Sequence, residues 1–93
     1  MLVIVKSAPD TSDGKRGIQM AKDMAADIVL LQNSVYSACK ERLNGFPGTV
    51  YVLSEDMRLR GIKGGEIGEN VKALSYDDLV DLMATEDNVV GMF

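Results

Sequence analysis

Residues Ile28–Leu31 form an unbroken apolar run, Ile-Val-Leu-Leu, between Asp27 and the polar Gln32-Asn33-Ser34. A strand with one wet face alternates apolar and polar residues, and this one does not. The pattern is that of a strand buried on both faces of a parallel sheet, with helices above and below. Leu2–Val5 repeats it at the start of the chain. Such a sheet places its sites at the carboxyl ends of its strands, so Gln32 and Asn33 mark a candidate site edge.

Further along, strands and helices alternate. Lys6 to Pro9 end the first strand, because Pro9 has no backbone donor for a sheet ladder. A turn at Asp10–Ser12 supplies an N-cap, and a first helix is predicted over Asp13–Ala25. Gly14, Ile18, Ala21 and Ala25 share its inner face, beside Gly17 and Met24, with Lys15, Arg16, Lys22 and Asp23 turned away. The small residues let it approach the sheet closely. A second helix is predicted from a cap at Asn33 or Ser34 to Leu43, burying Val35, Ala38, Cys39 and Leu43. Asn44-Gly45-Phe46-Pro47-Gly48 stops it, and Thr49–Leu53 is a third strand.

Ser54 is then an N-cap for a short helix ended by Gly61, with Glu55 and Asp56 in the favourable first turn. Gly64, Gly65 and Gly68 form a surface connection, and Val71–Leu74 a fourth strand. Ser75-Tyr76-Asp77-Asp78 caps a last helix, predicted to turn Tyr76, Leu79, Val80 and Met83 inward. Asn88–Phe93 is a fifth strand or a docked tail. At 93 residues the chain is one domain, 1–93, and the alternation makes it a doubly wound α/β fold.

Several chemistries are excluded. There is one cysteine, Cys39, and no histidine, which removes internal disulfides, multi-cysteine metal centres and histidine-paired nucleophiles. A net charge of −4 with dispersed Lys and Arg argues against direct nucleic-acid binding. Met1–Val5 is too short for a signal core or a membrane span, so no membrane association is expected and the expected location is cytoplasmic. No cofactor or metal is called for. Cys39 is the sole soft nucleophile, but it falls on an inner stripe past the first helical turn, the place of a buried inert thiol. Asp10, Glu55 and Asp56 all fall at strand carboxyl ends, where an acidic pocket can hold magnesium. Capping explains each of them, and the last strand has no lysine to hold a phosphoryl group. Tyr36, Met57, Met92 and Phe93 are contact-surface candidates, with core equally open for Met57.

The strand ending Leu30-Leu31-Gln32-Asn33, the strand Val50–Leu53 followed by Glu55-Asp56 and Arg60-Gly61, and the stretch Leu74–Leu82 together resemble the DsrH/TusB family of the DsrE/DsrF/DsrH-like superfamily. The resemblance spans nearly the whole chain. It implies a three-layer α/β/α sandwich with a mostly parallel sheet of about five strands, and a part in persulfide relay toward tRNA wobble-uridine 2-thiolation or within sulfur oxidation. The active cysteine of the DsrE/TusD branch follows the third strand, where this chain has Ser54-Glu55-Asp56. A family cysteine in the first helix would fall near Met20 or Met24, and Cys39 matches neither place. The resemblance therefore implies a non-catalytic interaction subunit, working as a homo-oligomer or with DsrE- and DsrF-like (TusD- and TusC-like) partners. Its expected site edge or interface is Gln32, Asn33, Ser54, Glu55, Asp56, Met92 and Phe93. Two alternatives stand beside it: a stand-alone sulfurtransferase carrying persulfide on Cys39, and a small-anion or nucleotide-binding module at the sheet's carboxyl edge.

Overall fold

A computed structural model describes residues 1–39, 42, 43, 45–91 and 93. Five parallel strands, β1 (Leu2–Val5), β2 (Asp27–Leu30), β3 (Val50–Leu53), β4 (Val71–Leu74) and β5 (Val89–Val90), form one sheet in the order β4-β3-β2-β1-β5. The registers are regular, with Val3 opposite Ile28 and Ile28 opposite Val50. β1 and β2 therefore lie inside the sheet, as their apolar runs require, and every residue from Leu2 to Val5 is buried. The α/β class, the five strands and the parallel pairing agree with the expectation.

Each strand splits its side chains between two layers. Val3, Val5, Ile28, Leu30, Val50 and Val52 join the larger core, under α1 (Ser12–Asp23), a 3₁₀ segment (Gln32–Ala38) and α2 (Ser54–Leu59). Leu2, Ile4, Val29 and Leu53 join a smaller core on the opposite face, with Leu79 of α3 (Tyr76–Thr85). Strand order dictates this asymmetry. The connections from β1 through β4 all step the same way along the sheet, so right-handed crossovers put their helices on one face. Only the return from β4 to β5 runs the other way, and it lays α3 on the other face.

Four expectations are corrected. The second element is not an α-helix to Leu43 but a 3₁₀ segment ending at Ala38, with Cys39 extended behind it. Its N-cap is Leu31, and the Ser34 hydroxyl instead faces the carbonyls of Val5 and Leu31, 2.7 Å from the latter. α1 takes its cap from Thr11, inside the expected turn, but ends at Asp23, leaving Met24 exposed and Ala25 in a left-handed turn with φ 50°. Ser54 is the first residue inside α2 rather than its cap. On α3 only Leu79 is buried and Leu82 half-buried, while Tyr76, Val80 and Met83 are 62, 49 and 37 % exposed. A single ten-residue helix over a narrow sheet face buries one line of side chains, and the neighbouring line turns to solvent. The Ser75 cap is as expected, its hydroxyl accepting from Asp78 N–H at 3.1 Å.

The closing segment docks beside β1. Phe93 N–H donates to Ile4 O at 3.1 Å, and Phe93 O accepts from Ser7 N–H at 3.1 Å. The Phe93 ring packs on the larger core above Gly17, where a Cβ would stand 2.7 Å from Phe93 Cβ and 2.8 Å from Val5 Cγ2. A Cβ on Gly14 would stand 2.1 Å from the Ala8 carbonyl oxygen. Glycine in a helix forgoes about 1 kcal/mol relative to alanine, so at both positions close approach outweighs propensity. Gly14→Ala is expected to cost more than the propensity gain, roughly 2–3 kcal/mol net, because a backbone carbonyl has little room to retreat. Gly17→Ala is expected to cost less, and Phe93→Gly in the same chain, which removes the Cβ it meets, to recover part of it. Urea unfolding of the two single variants and the double variant measures both effects.

Candidate functional site

The carboxyl ends of β2 and β3 are neighbours in the sheet, so the residues that follow them are brought together. Gln32 and Asn33 open the 3₁₀ segment, and Ser54, Glu55 and Asp56 form the first turn of α2. Gln32 takes a left-handed backbone, φ 51°, a region that side-chain-bearing residues adopt at a cost. Its N–H is held by Asp56 Oδ2 at 2.7 Å. Arg60, one helical turn beyond Asp56, ties the two loops. Its Nε donates to Asn33 Oδ1 at 3.1 Å, its Nη1 donates to the Asp56 carbonyl at 3.2 Å, and Nη1 lies 3.7 Å from Asp56 Oδ1. Gly61 then leaves the helix with φ 70°, open to solvent.

The Asp-x-x-x-Arg-Gly spacing thus has a physical function. Asp56 complements the helix N-terminus and fixes the Gln32 turn, Arg60 clamps Asn33, and Gly61 releases the chain. Sequence reasoning placed Gln32, Asn33 and Asp56 at one edge and they meet there. It missed Arg60 as their link, although the four-residue spacing from Asp56 was the available signal. Glu55 is half-buried beside them, and its Oε2 is enclosed without a hydrogen-bond partner among the described residues. Ser54 is half-buried in the same turn. Asp10 sits exposed in the turn before α1. Among the described residues no three acidic or cysteine side chains converge as metal ligands do.

Phe93 lies on the far side of β1 from this cluster and forms part of the core, and Met92 lies outside the described residues. Tyr36 is exposed and Met57 is core. Cys39 is half-buried against the larger core. It pairs as an antiparallel bridge with Ile67, next to a Gly68 N–H to Ala38 O bond of 2.9 Å. No described helix is long and apolar enough to cross a membrane.

Asp56→Ala is expected to cost about 1–2 kcal/mol, since it frees a strained N–H and an arginine at once. Asp56→Asn, which keeps an acceptor oxygen for Gln32, is expected to recover most of that. Denaturant midpoints with an unchanged slope would show the loss to be one of stability rather than of compactness.

The comparisons with known proteins bear on this arrangement. The YchN protein of E. coli superimposes with a TM-score of 0.82 over 98 % of this chain and 97 % of its own, at 16 % identity, a likeness of fold. Protein Tm0979 of Thermotoga maritima is 30 % identical, with a TM-score of 0.69, over 98 % of this chain and all of its own. No curated protein matches the sequence. The family model described as DsrH like protein matches residues 6–89, from the end of β1 into β5 and across the whole Gln32–Arg60 cluster. The chain belongs to the DsrH-like family.

Proposed function

We propose that this protein is an interaction subunit of a sulfur-relay assembly, seating thiol-bearing partners in the cytoplasm and carrying no sulfur itself. The observation that supports this reading is what occupies the end of β3 in a DsrH-like chain. The sulfur-carrying cysteine of the DsrE/TusD branch belongs just after that strand. Here Ser54, Glu55 and Asp56 stand there, and the Asp56 carboxylate is engaged with Gln32 and Arg60. Neither a hydroxyl nor a carboxylate forms a persulfide. Cys39, the only thiol, is packed against the core at the far end of the 3₁₀ segment.

The partner surface in this reading is the outer line of α3. Tyr76, Val80 and Met83 are spaced four and three apart, the pattern of a helix face that packs, yet all three are exposed. Single exposed apolar residues are ordinary on monomers, but an aligned set with no cover marks a contact face. Asp77, Asp78 and Asp81 border it, so the complementary surface is an apolar patch with a basic rim. We assign that surface to a DsrE- or DsrF-like subunit. The sulfur moved by the assembly would go to the tRNA wobble uridine or through sulfur oxidation, and in either case this acidic chain need not touch nucleic acid.

Co-expression with the DsrE- and DsrF-like chains of the same host is expected to yield a stable mixed complex by size-exclusion chromatography with light scattering. Val80→Asp with Met83→Asp is expected to abolish it while the circular dichroism stays native. A monomer, or an assembly of this chain with itself alone, in the presence of both candidates would refute the mixed-subunit reading. In parallel, intact mass after exposure to a cysteine desulfurase and cysteine is expected to show no added sulfur. A reductant-sensitive gain that Cys39→Ser abolishes would make the chain a carrier instead.

A further inference from the structure

We propose that the cleft between α1 and the exit of the 3₁₀ segment binds a small phosphomonoester. The cleft has a volume of about 410 Å³ and is lined by Pro9, Lys15, Ile18, Gln19, Lys22, Ser37, Arg42 and Leu43. That volume is in the range of small-molecule sites. It lies away from the Gln32–Arg60 cluster and shares no residue with it. The inference is independent of the sulfur-relay reading.

Charge supplies the first argument. The chain carries 14 acidic against 10 basic residues, yet among the described residues the cleft wall holds Lys15, Lys22 and Arg42 and no acid. Among the described residues none of the three forms an ion pair, whereas Arg16, the neighbour of Lys15, pairs with Asp13, and Arg60 pairs with Asp56. Lys15, Ile18, Gln19 and Lys22 are spaced three, four and seven along α1, one continuous helix face. Gln19 turns its amide nitrogen to Asp23 at 2.9 Å, and Asp23 does not line this cleft. Like charges gathered at a concave wall of a negative protein raise the local concentration of anions.

The second argument is a buried hydroxyl. Ser37 is 1 % exposed, and its Oγ has no hydrogen-bond partner among the described residues. A buried polar group left unpaired costs stability, and such groups are few in native proteins. The neighbouring 3₁₀ serine, Ser34, is satisfied by the carbonyls of Val5 and Leu31, so burial of a serine here does not force it to go unpaired. Ser37 lines the cleft together with the exposed side chains of Lys15, Lys22 and Arg42, which have room to move for a ligand.

A ligand that satisfies all of these groups must carry more than one negative charge and be rich in acceptors. A phosphomonoester carries about −1.5 to −2 charges at neutral pH and three acceptor oxygens. Lys15, Lys22 and Arg42 match the charge, and Ser37 Oγ donates to one oxygen. Pro9, Ile18 and Leu43 give the organic part an apolar wall, which a bare phosphate would leave empty.

The test uses ribose 5-phosphate, glycerol 3-phosphate and adenosine 5′-monophosphate at millimolar concentration, with ribose, glycerol and adenosine as uncharged controls. Thermal shift and isothermal titration are expected to show binding of at least one phosphorylated probe, weakened by salt, and none of its control. Lys15→Gln with Lys22→Gln is expected to weaken it roughly tenfold, the scale of losing a charge-assisted contact. Ser37→Ala is expected to weaken it several-fold while leaving the midpoint of the unliganded protein unchanged or higher, since it removes an unpaired hydroxyl. No binding of any phosphorylated probe overturns the proposal, as does binding equal for the controls or unaltered in the lysine double variant. A Ser37→Ala protein that binds normally but melts lower would place the hydroxyl in the fold and remove it from the site.

Discussion

A parallel strand dry on both faces obliges the chain to cover the same few residues twice. β1 and β2 are each four residues long, and between them they hold most of the fully buried side chains. Everything else answers to that demand. Gly14, Gly17 and Ala21 let α1 lie nearly flush with β1, and Phe93 fills the remaining gap above Gly17. The 3₁₀ segment lays Val35 and Ala38 over the larger core, and α2 adds Met57. On the opposite face the supply is meagre. One helix contributes Leu79 and Leu82, and Leu31, just past β2, and Tyr51 of β3 are left half-buried.

The two ends of this economy meet at the carboxyl edge. β2 cannot run past Leu30 without burying Gln32, so the chain turns sharply there through a left-handed residue. Asp56 and Arg60, from the helix after the next strand, hold that turn. The end of β3 is given over to a hydrogen-bonded clasp, in which the Asp56 carboxylate meets the Gln32 N–H and Arg60. In the role proposed above, such a clasp serves a subunit that leaves the reaction to its partners.

How far this was legible depends on which forces acted locally. The buried strands, the Ser75 cap and the stop at Gly61 depend on residues adjacent in sequence, and they read directly. The 3₁₀ segment was concealed because Val35 and Ala38 suit a period of 3.6 as well as 3.0. The distinguishing mark was a second pair at the same spacing, Ser34 and Ser37, which eclipse one another in a 3₁₀ turn and are both buried. Ser34 prefers its contact with Val5 O across the sheet, a tertiary bond no local pattern records. On α3 the apolar residues were correctly noted but not their division. A sequence shows how many apolar residues a helix owns, not how wide a surface awaits them. Lys15 and Lys22 read as a solvated face for the same reason, since the wall opposite them comes from Arg42 and Leu43, twenty or more positions away.

Strand order also governs how the molecule is made. β1 leaves the ribosome ahead of the other strands of this sheet, and β5, its neighbour on one side, after them. Until residues 89–93 emerge, the Leu2–Val5 backbone keeps an open, apolar edge toward other chains. Long-range parallel pairing of this kind is slow to form and exposed to aggregation while it waits. The nascent chain's dependence on early protection is thus written into the placement of its final strand, and it will be felt most by variants that loosen the Phe93 seat against Gly17.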